Sequence, residues 1–591
     1  MSRNRYDIDE TLESPFDLSH FKRAMVYIKK HKWAMIAALI FSAISVIVSL
    51  FTPIIMRHSI DVSVPNKDIP QIILLGILML VTIFGSVMLS NVRQRIMTRV
   101  GQDIIYDIRK DLFAHLQRLP FQYYDDRPQG KILIRVVNYV NSVSDMLSNG
   151  LVNFVLEIFN IIFITIFMFF VDVKLSLIIV SGLPIFVGIM YLLKKSQRRA
   201  WQDVSNKSSN LNAYMQESIS GVRVTQLFTR EKENYTIFER LSMLYRKAWM
   251  RAIYISHSIF VIVDTLQTGI LALIYFVGLL IIGPSTTTFG TILAMSGYAS
   301  RFWEPIMGLS NIYNSFINNM AYLERIFEAM DEPVTVDDAE DAYELPEIKG
   351  DLSFDGVTFA YEPGKDILEN VSFDVKAGES IALVGPTGAG KTTVVNLISR
   401  FYDIQGGKIT IDGHDISKVT LESLRRQMGI MLQDSFIFSG TILDNIKYGK
   451  LDATMEEVIQ ACETVRADEF IAEMEEGYDT EVNERGSALS AGQRQLVSFA
   501  RTLLSDPKIL ILDEATSSID AKTEKLLQDG LLKLLKGRTS FLIAHRLSTI
   551  RHCDRIMFIN NKGITECGSH DELIARRGDY YNLYNSQKQE V

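Results

Sequence analysis

The sequence predicts a helical domain of six membrane spans followed by an α/β sheet domain, and three observations predict it. The 591 residues are 48% hydrophobic and only 22% charged, too long for one domain and too apolar for an ordinary soluble chain. Runs long enough to cross a hydrocarbon core, about 20 helical residues for roughly 30 Å, crowd into the first half. Beyond the middle of the chain, strand-like runs (381-IALV-384, 509-ILIL-512, 540-SFLI-543) alternate with helical stretches, the pattern of a sheet covered by helices.

The six spans are expected at 33–56, 72–89, 147–171, 175–193, 253–282 and 289–312. The first follows Lys22, Arg23, Lys29, Lys30 and Lys32, and no small-residue cleavage site comes after it, so it is expected to stay as an anchor. Arginine and lysine crowd the segments 91–141 and 194–252, whereas the alternate loops, such as 283-GPSTTTFG-290, nearly lack them. By the positive-inside tendency both termini face the cytoplasm. Each of the two basic segments carries apolar residues at helical spacing, which predicts membrane helices that continue beyond the bilayer. For most of their charges a solvated face is a sufficient account.

The acidic, proline-bearing stretch 331-DEPVTVDDAEDAYELPEIKG-350 predicts a linker. The expected domains are therefore 1–330 in the membrane, a linker at 331–347 and a sheet domain at 348–591. A net charge of −8 excludes a nucleic-acid partner, which would need a basic face. Cys462, Cys553 and Cys567 have no metal-binding spacing and are expected as buried thiols.

Directly after the strand 381–384 comes 385-GPTGAGKTT-393, which fits G-x-x-x-x-G-K-[ST] in its strand–loop–helix setting. Gly385, Thr387, Gly388 and Gly390 allow backbone N–H groups to close around phosphates at a helix N-terminus. Lys391 neutralises phosphate oxygens, and the Thr392 hydroxyl, with Thr393 beside it, can reach Mg²⁺. The strand 509–512 delivers Asp513 and Glu514 to a sheet edge, Asp513 suited to the Mg²⁺ shell and Glu514 to polarising an attacking water. His545 ends another strand, where an imidazole could contact a γ-phosphate.

The series 359-FAYEPG-364, 385–393, Gln433 in 430-IMLQDSF-436, 489-LSAGQ-493, 511-ILDEATSSID-520 and His545 resembles the nucleotide-binding domain of ABC transporters. With six spans in front, the chain from about residue 18 resembles an ABC exporter half-transporter of the multidrug or lipid type. The resemblance implies that Tyr361 stacks on adenine, that Gln433 serves both catalysis and the Mg²⁺ link to the membrane domain, and that Asp520 lies in a loop crossing a dimer. It implies that 481-EVNERG-486 meets the intracellular loops, with Asn483 where the family usually has glycine, a turn substitution. It further implies coupling helices near 121–130 and 208–221, and an elbow helix at 18–31 on the membrane surface.

The same resemblance assigns Ser490, Gly492 and Gln493 to the γ-phosphate of an ATP held by the opposite subunit, so a second half-transporter is required. Ala491 stands where the family usually has glycine, which either weakens that composite site or is neutral, alanine being a good helix former. Because the rest of the nucleotide motifs are intact, a heterodimer is favoured over a homodimer. The expected activity is ATP hydrolysis, with Mg²⁺, driving export of amphipathic small molecules by alternating access across a bacterial plasma (inner) membrane. The alternatives are an ATP-gated channel or regulatory subunit, or a lipid or peptide exporter.

Within the spans, Glu157, Asp264, Arg301 and Glu304 are expected in one layer near or below the midplane, counting roughly 1.5 Å of depth per residue. Ionisable groups at that depth face protein or a water-filled cavity. A structural Asp264–Arg301 pair would account for two of them. The layer still has an acidic surplus, and 257-HSIF-260, Phe276 and Trp303 are expected to add aromatic surface for a hydrophobic cation.

Overall fold

The computed structural model describes residues 18–125, 127, 129–278, 287–431, 436–483, 486–513, 521–543 and 550–589. Two compact units result. One takes in the chain to Leu116 and Gln129–Asp331, the other Gln117–Pro128 and Glu332–Val591.

The first unit is all helical. α1 (Leu18–Lys30) precedes α2 (Lys32–His58) and α3 (Ile69–Leu116). After the excursion 117–128, which holds α4 (Phe121–Asp125), come α5 (Gln129–Ile134), α6 (Val140–Asp145) and α7 (Leu151–Val171). α8 (Val173–Ser220), α9 (Val222–Leu227), α10 (Glu231–Phe276) and α11 (Phe289–Met330) complete it. Among the described residues, five helical stretches are long and apolar enough to cross a membrane: Lys32–Ser63, Ile69–Leu116, Ile132–Val171, Val173–Ser220 and Glu231–Phe276. The sixth expected run lies in α11, where Arg301, Glu304 and Pro305 dilute the apolar character. α3, α8 and α10 span 48, 48 and 46 residues, more than twice what a bilayer requires, so they continue well past it.

Packing pairs α2 with α3, α7 with α11, and α8 with α10. Ile73, Ile77, Leu80 and Phe84 on α3 remain exposed, a face suited to lipid rather than water. α1 lies against this bundle through charge and aromatic contacts. Arg23 meets Asp331 at 2.5 Å and sits 4.4 Å from the Phe327 ring centre, Lys30 reaches Asp107 at 2.8 Å, and Tyr27 donates to Asp111.

The second unit is α/β. An antiparallel sheet orders β2 (Asp366–Val375), β1 (Leu352–Ala360), β4 (Gly406–Ile411) and β5 (His414–Asp415). The main sheet runs β12 (Gly563–Gly568), β11 (Arg555–Asn560), β3 (Ser380–Val384), β10 (Thr539–Ile543), β9 (Ile509–Asp513) and β6 (Met428–Met431). All its neighbours are parallel except β12 on β11. β3 and β10 are buried along their whole length, as central strands covered on both faces must be. A short pair, β7 (Gly440–Thr441) and β8 (Glu481–Val482), sits apart. α4 belongs to this unit: Phe121 packs 4.5 Å from Phe401, Asp125 accepts the Tyr402 hydroxyl at 2.8 Å, and Arg118 and Arg127 pair with Asp337 and Glu332.

Candidate functional site

Parallel pairing brings the C-terminal ends of β3, β10, β9 and β6 to one edge, the place where α/β sheets hold ligands. The phosphate loop leaves β3 there. Gly385, Gly388 and Gly390 have φ of 145°, 81° and 104°, a region that side-chain-bearing residues rarely enter. At Gly385 an added Cβ would also collide with the Ile559 carbonyl. Lys391 opens the helix Lys391–Ile398 and is 8% exposed. Its ammonium donates to the carbonyls of Gly385 and Pro386, each at 2.9 Å, so the loop is curled around a cation. Burial lowers the Lys391 pKa and the nearby Asp513 carboxylate opposes that shift. An anion in the loop would offer this ammonium a stronger partner than two carbonyls.

Thr387 and Thr392 are exposed on the loop and the first helical turn, while Thr393 is buried and lies 3.2 Å from the Tyr361 hydroxyl. Tyr361 is held edge-on by Phe359 and Tyr402, at 4.9 and 5.0 Å between ring centres. Through the Tyr402 hydroxyl this aromatic stack is joined to Asp125 of α4. Asp513 is the last residue of β9. Gln433, Glu514, Asp520 and His545 lie outside the described residues, as do Glu484 and Arg485 of the 481–486 loop. The strands that lead to Gln433, Glu514 and His545 end on the same edge as the phosphate loop.

Ser490 caps the helix Ala491–Leu504. Its hydroxyl accepts from the Gln493 backbone N–H at 3.2 Å, and the Gln493 side chain accepts from the Ser490 N–H at 2.8 Å. The S-x-x-Q spacing that forms this reciprocal box was readable in the sequence, whose resemblance-based reading credits both residues only with phosphate contact. Because the Ser490 oxygen is used as an acceptor, its own proton stays available to donate. Ser490 and Ala491 are exposed and Gly492 is buried, so the Ala491 methyl faces outward and disturbs nothing within the chain. Arg494 braces the turn by donating to the Leu489 carbonyl at 2.7 Å.

The family described as the ABC transporter transmembrane region matches residues 35–306, and the ABC transporter family matches 368–517. The chain is 42% identical over 590 residues to the uncharacterized ABC transporter ATP-binding protein YknV of Bacillus subtilis (strain 168), covering 99% of this chain and 98% of that one. The chain belongs to the ABC transporters. It is also 35% identical over 576 residues to YgaD of the same organism, provisionally named a multidrug export ATP-binding/permease protein, with 96% and 99% of the two chains covered. A solved bacterial Atm1-family ABC exporter with ATP bound matches with a TM-score of 0.78 and 27% identity, over 94% of this chain and 98% of that one.

This ABC transporter is thus a multi-pass half-transporter, an N-terminal transmembrane domain fused to an ATP-binding domain that hydrolyses ATP to drive transport, and ABC exporters of this build work as dimers. Ile219, Val224, Leu227 and Phe228 stand out where α8 gives way to α9. In the other unit Phe436, Phe438 and Tyr448 are exposed, with the Arg501 guanidinium 6.0 and 5.7 Å from the centres of the last two rings.

The membrane layer of the transporter differs from expectation in two contacts. Arg301 does not pair with Asp264; its guanidinium donates to the Ser49 carbonyl of α2 at 2.8 Å, and Asp264 stays exposed on α10. Trp303 offers no free aromatic surface, because it is 2% exposed and wedged among Phe186, Phe302 and Gly182. Glu157 is half-buried on α7, accepts from Asn160 at 3.2 Å and fits against Gly308 of α11, where a Cβ would come within 2.9 Å of its carboxylate. Glu304 and Phe276 are exposed. The sequence reading missed Arg93 of α3, which donates to Asn153 of α7 at 3.1 Å and interacts electrostatically with Glu157.

Proposed function

We propose that this half-transporter pairs with a second one to export hydrophobic or amphipathic small molecules, and that cations are favoured over anions of equal size. ATP binding draws two nucleotide domains together, the cavity between two sets of spans turns outward, and hydrolysis resets it. ATP acts by stabilising the closed arrangement more than the open one. The observation that carries the reading is the union, in one chain, of apolar spans with a curled phosphate loop and an outward-facing signature helix whose hydroxyl proton is free to donate.

In this proposal Tyr361 stacks on adenine, and Gly385, Thr387, Gly388, Gly390, Lys391 and Thr393 hold the phosphates. Ser490, Gly492 and Gln493 complete the partner's site, where the helix N-terminus favours a γ-phosphate. Thr392 and Asp513, with Gln433, are hard oxygen donors suited to Mg²⁺, which offsets phosphate charge when bound. Glu514 takes the proton of the attacking water, and His545 steadies the γ-phosphate. The basic segments support an inner-membrane location with both termini in the cytoplasm.

Cation preference is supported by exposed Asp264 and Glu304 and half-buried Glu157, three carboxylates against the two guanidinium groups of Arg301 and Arg93, which leaves one negative charge in surplus. The test compares ATPase stimulation by tetraphenylphosphonium and tetraphenylborate in wild type, Glu157→Gln and Asp264→Asn. The cation should stimulate more, and each substitution should narrow the difference. An unchanged cation preference in both folded variants removes these acids from the substrate site.

A further inference from the structure

Arg301 is the one ionisable group of the expected layer whose partner lies on the first span, and that partner has a specific origin. Pro53 sits inside α2. Proline has no N–H, so the carbonyl four residues earlier loses its helical donor and tilts out of the helix. That carbonyl belongs to Ser49, the acceptor of the Arg301 guanidinium at 2.8 Å. One residue on, the Leu50 carbonyl accepts the buried Tyr298 hydroxyl at 2.6 Å. Gly297 lies over the proline ring itself, its Cβ direction 3.8 Å from the ring. Gly297, Tyr298 and Arg301 of α11 therefore all meet α2 around Pro53.

We infer that Pro53 is a specificity-determining residue: by freeing the Ser49 carbonyl it draws the Arg301 guanidinium into the α2–α11 contact and away from Glu157, Asp264 and Glu304. The transport consequence rests on the cation preference proposed above, whereas the contact does not. With alanine in place of the proline, an N–H fills the Ser49 carbonyl, and the guanidinium loses that acceptor and turns, without a fixed partner, toward the exposed acids Asp264 and Glu304. The guanidinium keeps its charge throughout, so only its movement counts: brought from about 12 to about 8 Å of a bound ion at an effective dielectric constant near 20, it works against a cation and for an anion by about tenfold in their ratio.

Two measurements on Pro53→Ala, Arg301→Gln and the double variant, all in nanodiscs, decide it. The first is thermal unfolding. Arg301→Gln should lower the unfolding temperature when made in wild type and change it little when added to Pro53→Ala; equal effects in both overturn the proposal, whatever the protein transports. The second is the ratio of ATPase stimulation by tetraphenylphosphonium to that by tetraphenylborate. It should fall about tenfold in Pro53→Ala and rise to the wild-type value or above when Arg301→Gln is added. A ratio unmoved by Pro53→Ala, or not restored in the double variant, overturns the assignment of specificity to Pro53. Wild-type protein stimulated by neither ion would instead contradict the export reading, and the unfolding comparison would still decide the contact.

Discussion

Ser490 has two roles that one substitution can separate. As N-cap it holds the helix Ala491–Leu504 through the reciprocal bonds with Gln493. As a donor it is proposed to meet the γ-phosphate of a partner's ATP. Aspartate caps helices as well as serine and suits the positive helix end, so Ser490→Asp should unfold within about 1 °C of wild type. Ser490→Ala loses the cap, about 1 kcal/mol, and should unfold some 2–4 °C lower for a domain of this size. On the nucleotide side the order reverses. A carboxylate about 4 Å from a phosphate charge costs on the order of 4 kcal/mol at an effective dielectric constant near 20. Ser490 is exposed in the single chain, and halving that figure for residual water leaves roughly 2 kcal/mol, or about thirtyfold in ATPase rate. Steady-state ATPase and differential scanning fluorimetry on the purified dimer are the assays. Ser490→Asp with wild-type stability and activity within about threefold of wild type would refute the placement of phosphate at this cap.

Three further outcomes are expected. Glu514→Gln should keep ATP binding, measured with a fluorescent analogue, while hydrolysis at the site containing it nearly disappears, because glutamine preserves the shape but cannot take a proton. Expressed alone, this chain should lack full transport activity and regain it with a partner that carries intact LSGGQ and an altered carboxylate; full activity as a homodimer excludes the complementary arrangement. Cys462 is buried and desolvation pushes its thiol up to about 12, so maleimide at pH 8 should leave it unlabelled until the protein unfolds, as read by mass spectrometry of the labelled peptides.

The nucleotide loop was legible because its requirements are local: a buried strand, three glycines at positive φ and a lysine follow one another within about 12 residues, and each has a single steric or electrostatic reason. The helical bundle was legible from apolar length, with α11 the least obvious because Arg301, Glu304 and Pro305 interrupt it. What escaped were contacts between distant positions. Arg301 and Ser49 are 252 residues apart, and an ionisable residue in a span announces only that it needs a partner, not which one. Charge counting favoured Asp264, whereas the proline-freed carbonyl is the acceptor. Trp303 looked like cavity surface because aromatic type says nothing of facing, and the small Gly182 on α8 lets it sink into the core.

The central claim is that ATP hydrolysis by a dimer containing this chain moves an amphipathic cation against its gradient. Inside-out proteoliposomes holding the dimer would be given tetraphenylphosphonium and Mg-ATP, with internal concentration followed by an ion-selective electrode and membrane potential clamped by potassium and valinomycin. The account predicts accumulation above the external concentration with ATP, none with a non-hydrolysable analogue, and none when Glu514→Gln is present. Equilibration to equal concentrations on adding either nucleotide, without accumulation, would contradict it and point to an ATP-gated channel.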